Sequence, residues 1–249
     1  MTTATSPSTP TASPAVIQAR WLGTVDYRLA WRKQHELAAA RAAGDCGDTL
    51  LLLEHPPTIT LGRGADRSHV LLSDAQLEAQ GIDLVETDRG GDVTYHGRGQ
   101  LVGYPVFHLG QPVWDRDLHR YLRGLEEALI TALADVGIAA GRFPGFTGVW
   151  VGLESPAPRK IAAIGIKASR WITTHGFALN VSTSLREFGA IVPCGITGYG
   201  VTSVARELGR PVSVADLLQP VVRGFESVTG ASIQFASGTL PPATVGVPR

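Results

Sequence analysis

Apolar residues recur at three- and four-residue steps between Asp117 and Val136. Leu118, Tyr121, Leu122, Leu125, Leu129, Ala132, Leu133 and Val136 share one face, and Gly137 follows. That spacing predicts an amphipathic helix. A second helix is predicted over Ser213–Val228, capped by Ser213, with Leu217, Leu218, Val221, Val222 and Phe225 on its apolar face and a stop at Gly230. A third stripe, Tyr27, Ala30, Trp31, Gln34, Leu37, Ala38 and Arg41, predicts a helix capped by Thr24 and ended by Gly44. Ser73–Gln80 reads as a short helix capped by Ser73, and Ser182–Phe188 as one or two helical turns.

Between these helices the period changes. Short apolar runs bounded by turn residues predict strands at Val16–Leu22, Thr49–Leu53, Thr58–Leu61, Ile82–Glu86, Phe146–Gly152, Lys160–Ser169 and Trp171–Val181. The last two are expected to form a hairpin turning near Arg170. Arg89–Pro105 stands apart: five glycines (Gly90, Gly91, Gly97, Gly99 and Gly103) are interleaved with Arg89, Tyr95, His96, Arg98 and Gln100. Glycine at this density lets another backbone or a ligand come close. The stretch therefore reads either as a wall facing something bound or as a bulged glycine-rich hairpin. Strands in clusters, not alternating strictly with helices, predict an α+β domain with a mixed sheet. One domain is expected over residues 16–234, between a disordered Ser/Thr/Pro-rich segment at 1–15 and a flexible tail at 235–249.

Composition narrows the class. Hydrophobic residues make up 44% of the 249-residue chain and charged residues 18%, as in a globular protein with a full core. Acidic and basic residues balance at 22 each, which removes a general electrostatic case for nucleic acid or an anionic membrane. No secretory signal and no apolar run long enough to span a bilayer is found, so a cytoplasmic protein, and a monomer, is expected. The seven histidines form no metal-binding spacing, and the P-loop, dinucleotide-binding and serine-hydrolase motifs are missing. No metal site is expected.

Two cysteines remain. Cys46 lies in a loop. Cys194, between Pro193 and Gly195, sits in a shaped turn and reads either as a small buried residue or as a nucleophile. The second role needs a nearby cation, because an unperturbed thiol is largely protonated at neutral pH. Lys160, opening an apolar strand, is the candidate, although sequence spacing cannot bring it to Cys194.

RGGDVTYHGRGQLVGYP, KIAAIGIKASRWITTHGFALNV and IVPCGI, in that order, resemble the octanoyltransferases of lipoate biosynthesis, also called lipoate–protein ligase B. The likeness runs from about Val16 to Leu208. It implies the fold of biotin and lipoate ligase catalytic domains, with helices flanking the mixed sheet, and an acyl transfer that needs no cofactor. Octanoyl would pass from octanoyl-acyl carrier protein to Cys194 as a thioester. It would then pass to a lysine on lipoyl domains of 2-oxoacid dehydrogenases or on the glycine cleavage H protein. Lys160 would lower the thiol pKa and shuttle protons. Substrate-binding segments would map to Arg89, Gly90, Gly91, Asp92, Val93, Thr94, Tyr95 and His96, to Ala163, Ile164 and Gly165, and to Gly176, Phe177 and Ala178. The sequence departs from the family pattern at Arg98, where proline is usual. An ATP-dependent lipoate or biotin ligase of the same fold, or a non-catalytic domain binding acylated carriers, are the alternatives.

Overall fold

The computed structural model describes residues 15–192 and 199–237. In chain order it runs β1 (Val16–Thr24), α1 (Tyr27–Ala43), β2 (Thr49–Glu54), β3 (Thr58–Leu61), α2 (Asp74–Ala79), β4 (Asp83–Glu86), β5 (Val93–His96) and β6 (Gln100–Val106). There follow α3 (Leu118–Asp135), β7 (Ala140–Phe143), β8 (Phe146–Val151), β9 (Arg159–Ser169), β10 (Ile172–Asn180), β11 (Gly200–Val201), α4 (Val204–Leu208), α5 (Ala215–Thr229) and β12 (Ser232–Ser237).

The main sheet has the order β12-β1-β2-β6-β10-β9-β8-β7, with β11 added beside β9. Its pairing is mixed: β1 runs parallel to β2 and β12, whereas β2, β6, β10, β9 and β8 pair antiparallel. The apolar run in β2 shows why the sheet is covered twice. Leu50 and Leu52 join the core under α3 and α5, and Leu51 and Leu53 join the cluster under α1. A strand with helices on both faces has no polar side, so it reads as continuous leucine. A second sheet, β4-β3-β5, carries its own apolar cluster around Ile59, Val93, Tyr95 and Phe188. This is the expected α+β fold.

Several local expectations change. β5 and β6 do not pair with each other: β5 pairs β3 in the small sheet, and β6 lies between β2 and β10. The glycine-rich stretch is thus a crossing between two sheets and not a hairpin. Asp26, not Thr24, caps α1, its carboxylate accepting from Leu29 N at 2.9 Å. Gly44 ends that helix with φ 85°. Ser73 forms a capping box with Gln76. The β9–β10 hairpin turns at Arg170 and Trp171, both with positive φ. The chain stays ordered past the expected tail boundary at 235, because Phe235 and Ser237 register against Ala19 and Trp21 of β1. Residues 1–14 and 238–249 lie outside the described residues.

Candidate active site

The β9–β10 pairing assembles two of the three candidate segments. Gly176 stands opposite Gly165, Phe177 opposite Ile164 and Ala178 opposite Ala163. The third arrives from the small sheet as a strap, residues 88–92. Arg89 anchors it: Nη2 donates to Thr60 O at 2.6 Å and to Thr60 Oγ1 at 2.9 Å, and Nε donates to Thr60 Oγ1 at 3.2 Å. Gly90 N then donates to Ile166 O at 2.9 Å, docking the strap on β9. This contact needs a bare residue at 165, where an added Cβ would meet Gly90 O at 3.0 Å and Arg89 Cδ at 3.2 Å. The glycines therefore admit the protein's own backbone, rather than making room for a bound chain.

Between strap and hairpin lies a narrow slot of about 50 Å³, lined by Arg89, Val93, Thr94, Ala163, Phe177 and Ala178 among others. Its inner end is a layer of rings. Tyr27 stacks on His96 with centroids 5.6 Å apart, and His55 contacts Tyr27, His96 and Tyr104 at 5.0, 5.6 and 5.8 Å. His55 bridges Val25 O and the Tyr104 hydroxyl, each at 2.6 Å. Burial drives His55 down to about 4 and His96 well below the usual histidine range, so both rings are neutral at pH 7. Burial pushes the Tyr27 phenol up to about 12 and also raises Tyr104 well above the ordinary phenol value.

His175, on β10 with φ 59°, also borders the slot. Its Nε2 meets Asp88 Oδ1 at 2.7 Å, and Lys167 bonds the other carboxylate oxygen. Burial works against the Asp88 charge, but hydrogen bonds and charge from Lys167 and His175 outweigh it and hold the pKa at about 2. Burial also lowers His175 to about 4 despite that carboxylate.

Gly91, Asp92, Ile164 and Gly165 line the slot and also a wider cleft of about 700 Å³. Lys160 lines this cleft. It is 8% exposed, not a solvated strand end, and its Nζ sits 4.9 Å from the centroid of the Trp150 ring, a cation–π position. β11 registers Val201 against Lys160, and Thr202 N donates to Lys160 O at 3.0 Å. On the other side Val192 N donates to His69 O at 2.8 Å, and the His69 ring holds Asp92 at 2.6 Å. Tyr199 packs on Phe143, Phe146 and Trp150. Residues on each side of segment 193–198 thus reach residues that line the cleft, Val192 through His69 to Asp92 and Tyr199 through Phe146, while Cys194 itself lies outside the described residues.

Of the candidate binding residues, Arg89, Gly91–Thr94, His96, Ala163–Gly165 and Gly176–Ala178 come together around the slot, and Gly90 lines the cleft. Tyr95 does not join them; strand alternation turns it into the small-sheet core against Phe188. Leu101 and Val102 are core as well. Sequence reasoning missed Tyr27, His55 and His175 as site residues, and the one available signal was a buried-looking aromatic or histidine beside a turn.

The site is thus a narrow slot opening onto a wider cleft that contains a buried lysine. Residues 26–226 match the family described as the lipoyl protein ligase A/B catalytic domain. The chain is 52% identical over 208 residues to an octanoyltransferase of Myxococcus xanthus, covering 83% of this chain and 58% of that one. It is 52% identical over 202 residues to an octanoyltransferase of Roseiflexus sp., covering 81% and 82%. With an octanoyltransferase of Solibacter usitatus it shares 51% over 223 residues, covering 87% and 97%. Among solved structures, an archaeal lipoylation system of Thermoplasma acidophilum, a bi-partite lipoate protein ligase and its E2 lipoyl domain, aligns with TM-score 0.69 at 17% identity over 93% of this chain and 89% of that one. Lipoate-protein ligase A bound with ATP aligns with TM-score 0.68 at 19% identity, covering 89% and 90%. The fold is thus that of lipoate ligase catalytic domains. The chain belongs to the lipoyl protein ligase A/B family and, within it, to the octanoyltransferases, which are acyltransferase enzymes.

Proposed function

We propose that the protein moves an octanoyl group from octanoyl-acyl carrier protein, through a thioester on Cys194, to the target lysine of lipoyl domains. Domains of 2-oxoacid dehydrogenases and the glycine cleavage H protein are the acceptors. The observation that carries this reading is the joining of a narrow slot to a cleft that holds buried Lys160, with β11, which resumes the chain after the Cys194 segment, registered against that lysine. Identity near one half to octanoyltransferases supports it against an ATP-dependent ligase, a likeness that rests on fold alone.

The chemistry balances without ATP. The Cys194 thiolate attacks the donor carbonyl, a new sulfur–carbon bond forms, and the bond to the carrier sulfur breaks. The Lys160 ammonium gives its proton to the departing thiolate. One thioester replaces another, which divides the transfer into two steps of modest difficulty. In the second step the acceptor amine attacks, Lys160 takes its proton, and the Cys194 thiolate is regenerated. A cation beside the thiol favours the thiolate. Arg89, through the strap, fixes the slot wall along which the alkyl chain lies. Among the described residues no helix is long and apolar enough to cross a membrane.

Incubation with octanoyl-acyl carrier protein should add one octanoyl group, seen by intact mass and lost in Cys194→Ala. Wild-type protein that turns over without an adduct refutes the covalent route, and strict ATP dependence decides for the ligase.

A further inference from the structure

Aliphatic core does not close the slot. Tyr27, His96 and Tyr104 line it but not the cleft that holds Lys160, and all three are buried. Their hydrogen bonds lock the layer in one arrangement. Gln100 Nε2 donates to Tyr95 O at 3.1 Å and to Asn180 Oδ1 at 2.9 Å, which leaves Gln100 Oε1 to accept from His96 Nδ1 at 2.9 Å. His55 Nδ1 donates to Val25 O, so His55 Nε2 accepts from the Tyr104 hydroxyl. Tyr27, His55 and His96 form a closed triangle of rings, each in contact with the other two.

We infer that this layer is the chain-length stop of the enzyme: the terminal methyl of the acyl group ends against Tyr27, His96 and Tyr104. The inference rests on the octanoyl-transfer reading. An aliphatic stop yields to a longer chain by changing rotamer. This one cannot, because turning Tyr104 or His96 aside strips a buried polar partner of its hydrogen bond. The walls take methylenes through Val93, Ala163, Phe177 and Ala178. The stop discriminates by steric exclusion at a rigid end, and its histidines carry no charge at neutral pH.

The test is competition among hexanoyl-, octanoyl-, decanoyl- and dodecanoyl-acyl carrier protein, read as relative kcat/KM. Tyr27→Ala should raise decanoyl over octanoyl by about 10-fold relative to wild type, the scale on which pockets discriminate methylenes. Tyr104→Phe keeps the ring and removes its tether, so the same ratio should rise by a smaller factor. Ala178→Leu fills the slot from its wall and should favour hexanoyl, which keeps the question open to refutation if Tyr27→Ala fails to fold. Folded variants that keep the wild-type ratios overturn the stop. Binding of free octanoate and dodecanoate to the full chain separates the two readings. Octanoate bound in preference to dodecanoate, without any acyl transfer, refutes the transferase reading and upholds the stop. Equal binding of both overturns the stop while leaving transfer intact.

Discussion

The slot and the cleft share four residues yet are built to opposite ends. The slot is about 50 Å³, walled by glycine backbone and rings, and its histidines, His96 and His175, are held neutral by burial. The cleft is about 700 Å³ and contains Lys160. The slot keeps its histidines neutral, although Arg89 and Asp92 also line it. The cleft holds a buried lysine, the group to which the proposed reaction assigns proton transfer. One strand serves both spaces: β9 supplies Lys160 to the cleft, and four residues on, Ile164 and Gly165 border slot and cleft alike, so on the proposed function a single sheet separates recognition from chemistry.

The comparison breaks hardest at Lys160. Lys160→Ala should lower octanoyl transfer by ~10²- to 10⁴-fold, the usual range for a positioned acid–base group. It should also move the Cys194 alkylation profile to higher pH, since losing a cation disfavours the thiolate. Lys160→Arg separates the two duties. Its permanent charge keeps the alkylation profile near wild type, but it cannot cycle a proton, so transfer to the amine stays slow. Alkylation profiles identical in wild type and Lys160→Ala would sever Lys160 from Cys194.

How much of this was legible in the sequence depended on range. Local signals read well: the α3 and α5 stripes, the Gly44 and Gly230 stops, the Ser73 capping box and the β9–β10 turn at Arg170 all follow from contacts within a few residues. The slot walls were legible through family resemblance, and only as segments. The ring layer was not. Tyr27, His55, His96 and Tyr104 come from four separate elements, and nothing in their spacing tells a core aromatic from a pocket end. The crossing from β5 to β6 was hidden for a related reason. A short turn between two apolar runs looks like a hairpin, and only the pairing of each strand with a distant partner, β3 or β10, shows otherwise. The second half of β12, from Phe235, was read as tail because an edge strand with polar alternation carries little apolar signal.

A substitution on the shared boundary sharpens the comparison less violently. Gly165→Val places a branched side chain where even a Cβ would stand 3.0 Å from Gly90 O. The strap must lift, and the slot and cleft should both lose their common wall. We expect kcat/KM for octanoyl-acyl carrier protein to fall by about 10- to 100-fold, with a stability loss of about 1–3 kcal/mol typical of overpacking. Gly165→Ala should do the same more mildly. If Gly165→Val raises KM for octanoyl donors while alkylation of Cys194 is unchanged, the boundary serves the slot alone.

The smallest effect expected is confined to the slot and reads its suppressed titrations. His55 and His175 sit at about 4 in the folded chain, against an ordinary histidine value of 6.5. The unfolded chain therefore binds more protons between those values. Their contribution to stability is complete above pH 6.5 and is lost as pH falls towards 4, at about 1.4 kcal/mol per pH unit for each histidine. Asp88 follows in a lower window: its carboxylate, held at about 2, stabilises the fold above the ordinary carboxylate value of 3.8 and loses that contribution as pH falls through 2. Denaturant unfolding measured from about pH 7.5 to 4.5 should show the first slope. In His55→Gln, which cannot protonate there, the slope should drop by one histidine's share, while octanoyl transfer near neutral pH changes far less than in Lys160→Ala. An unchanged slope would mean that His55 is already protonated in the folded chain, and the slot end would then carry the charge it is built to exclude.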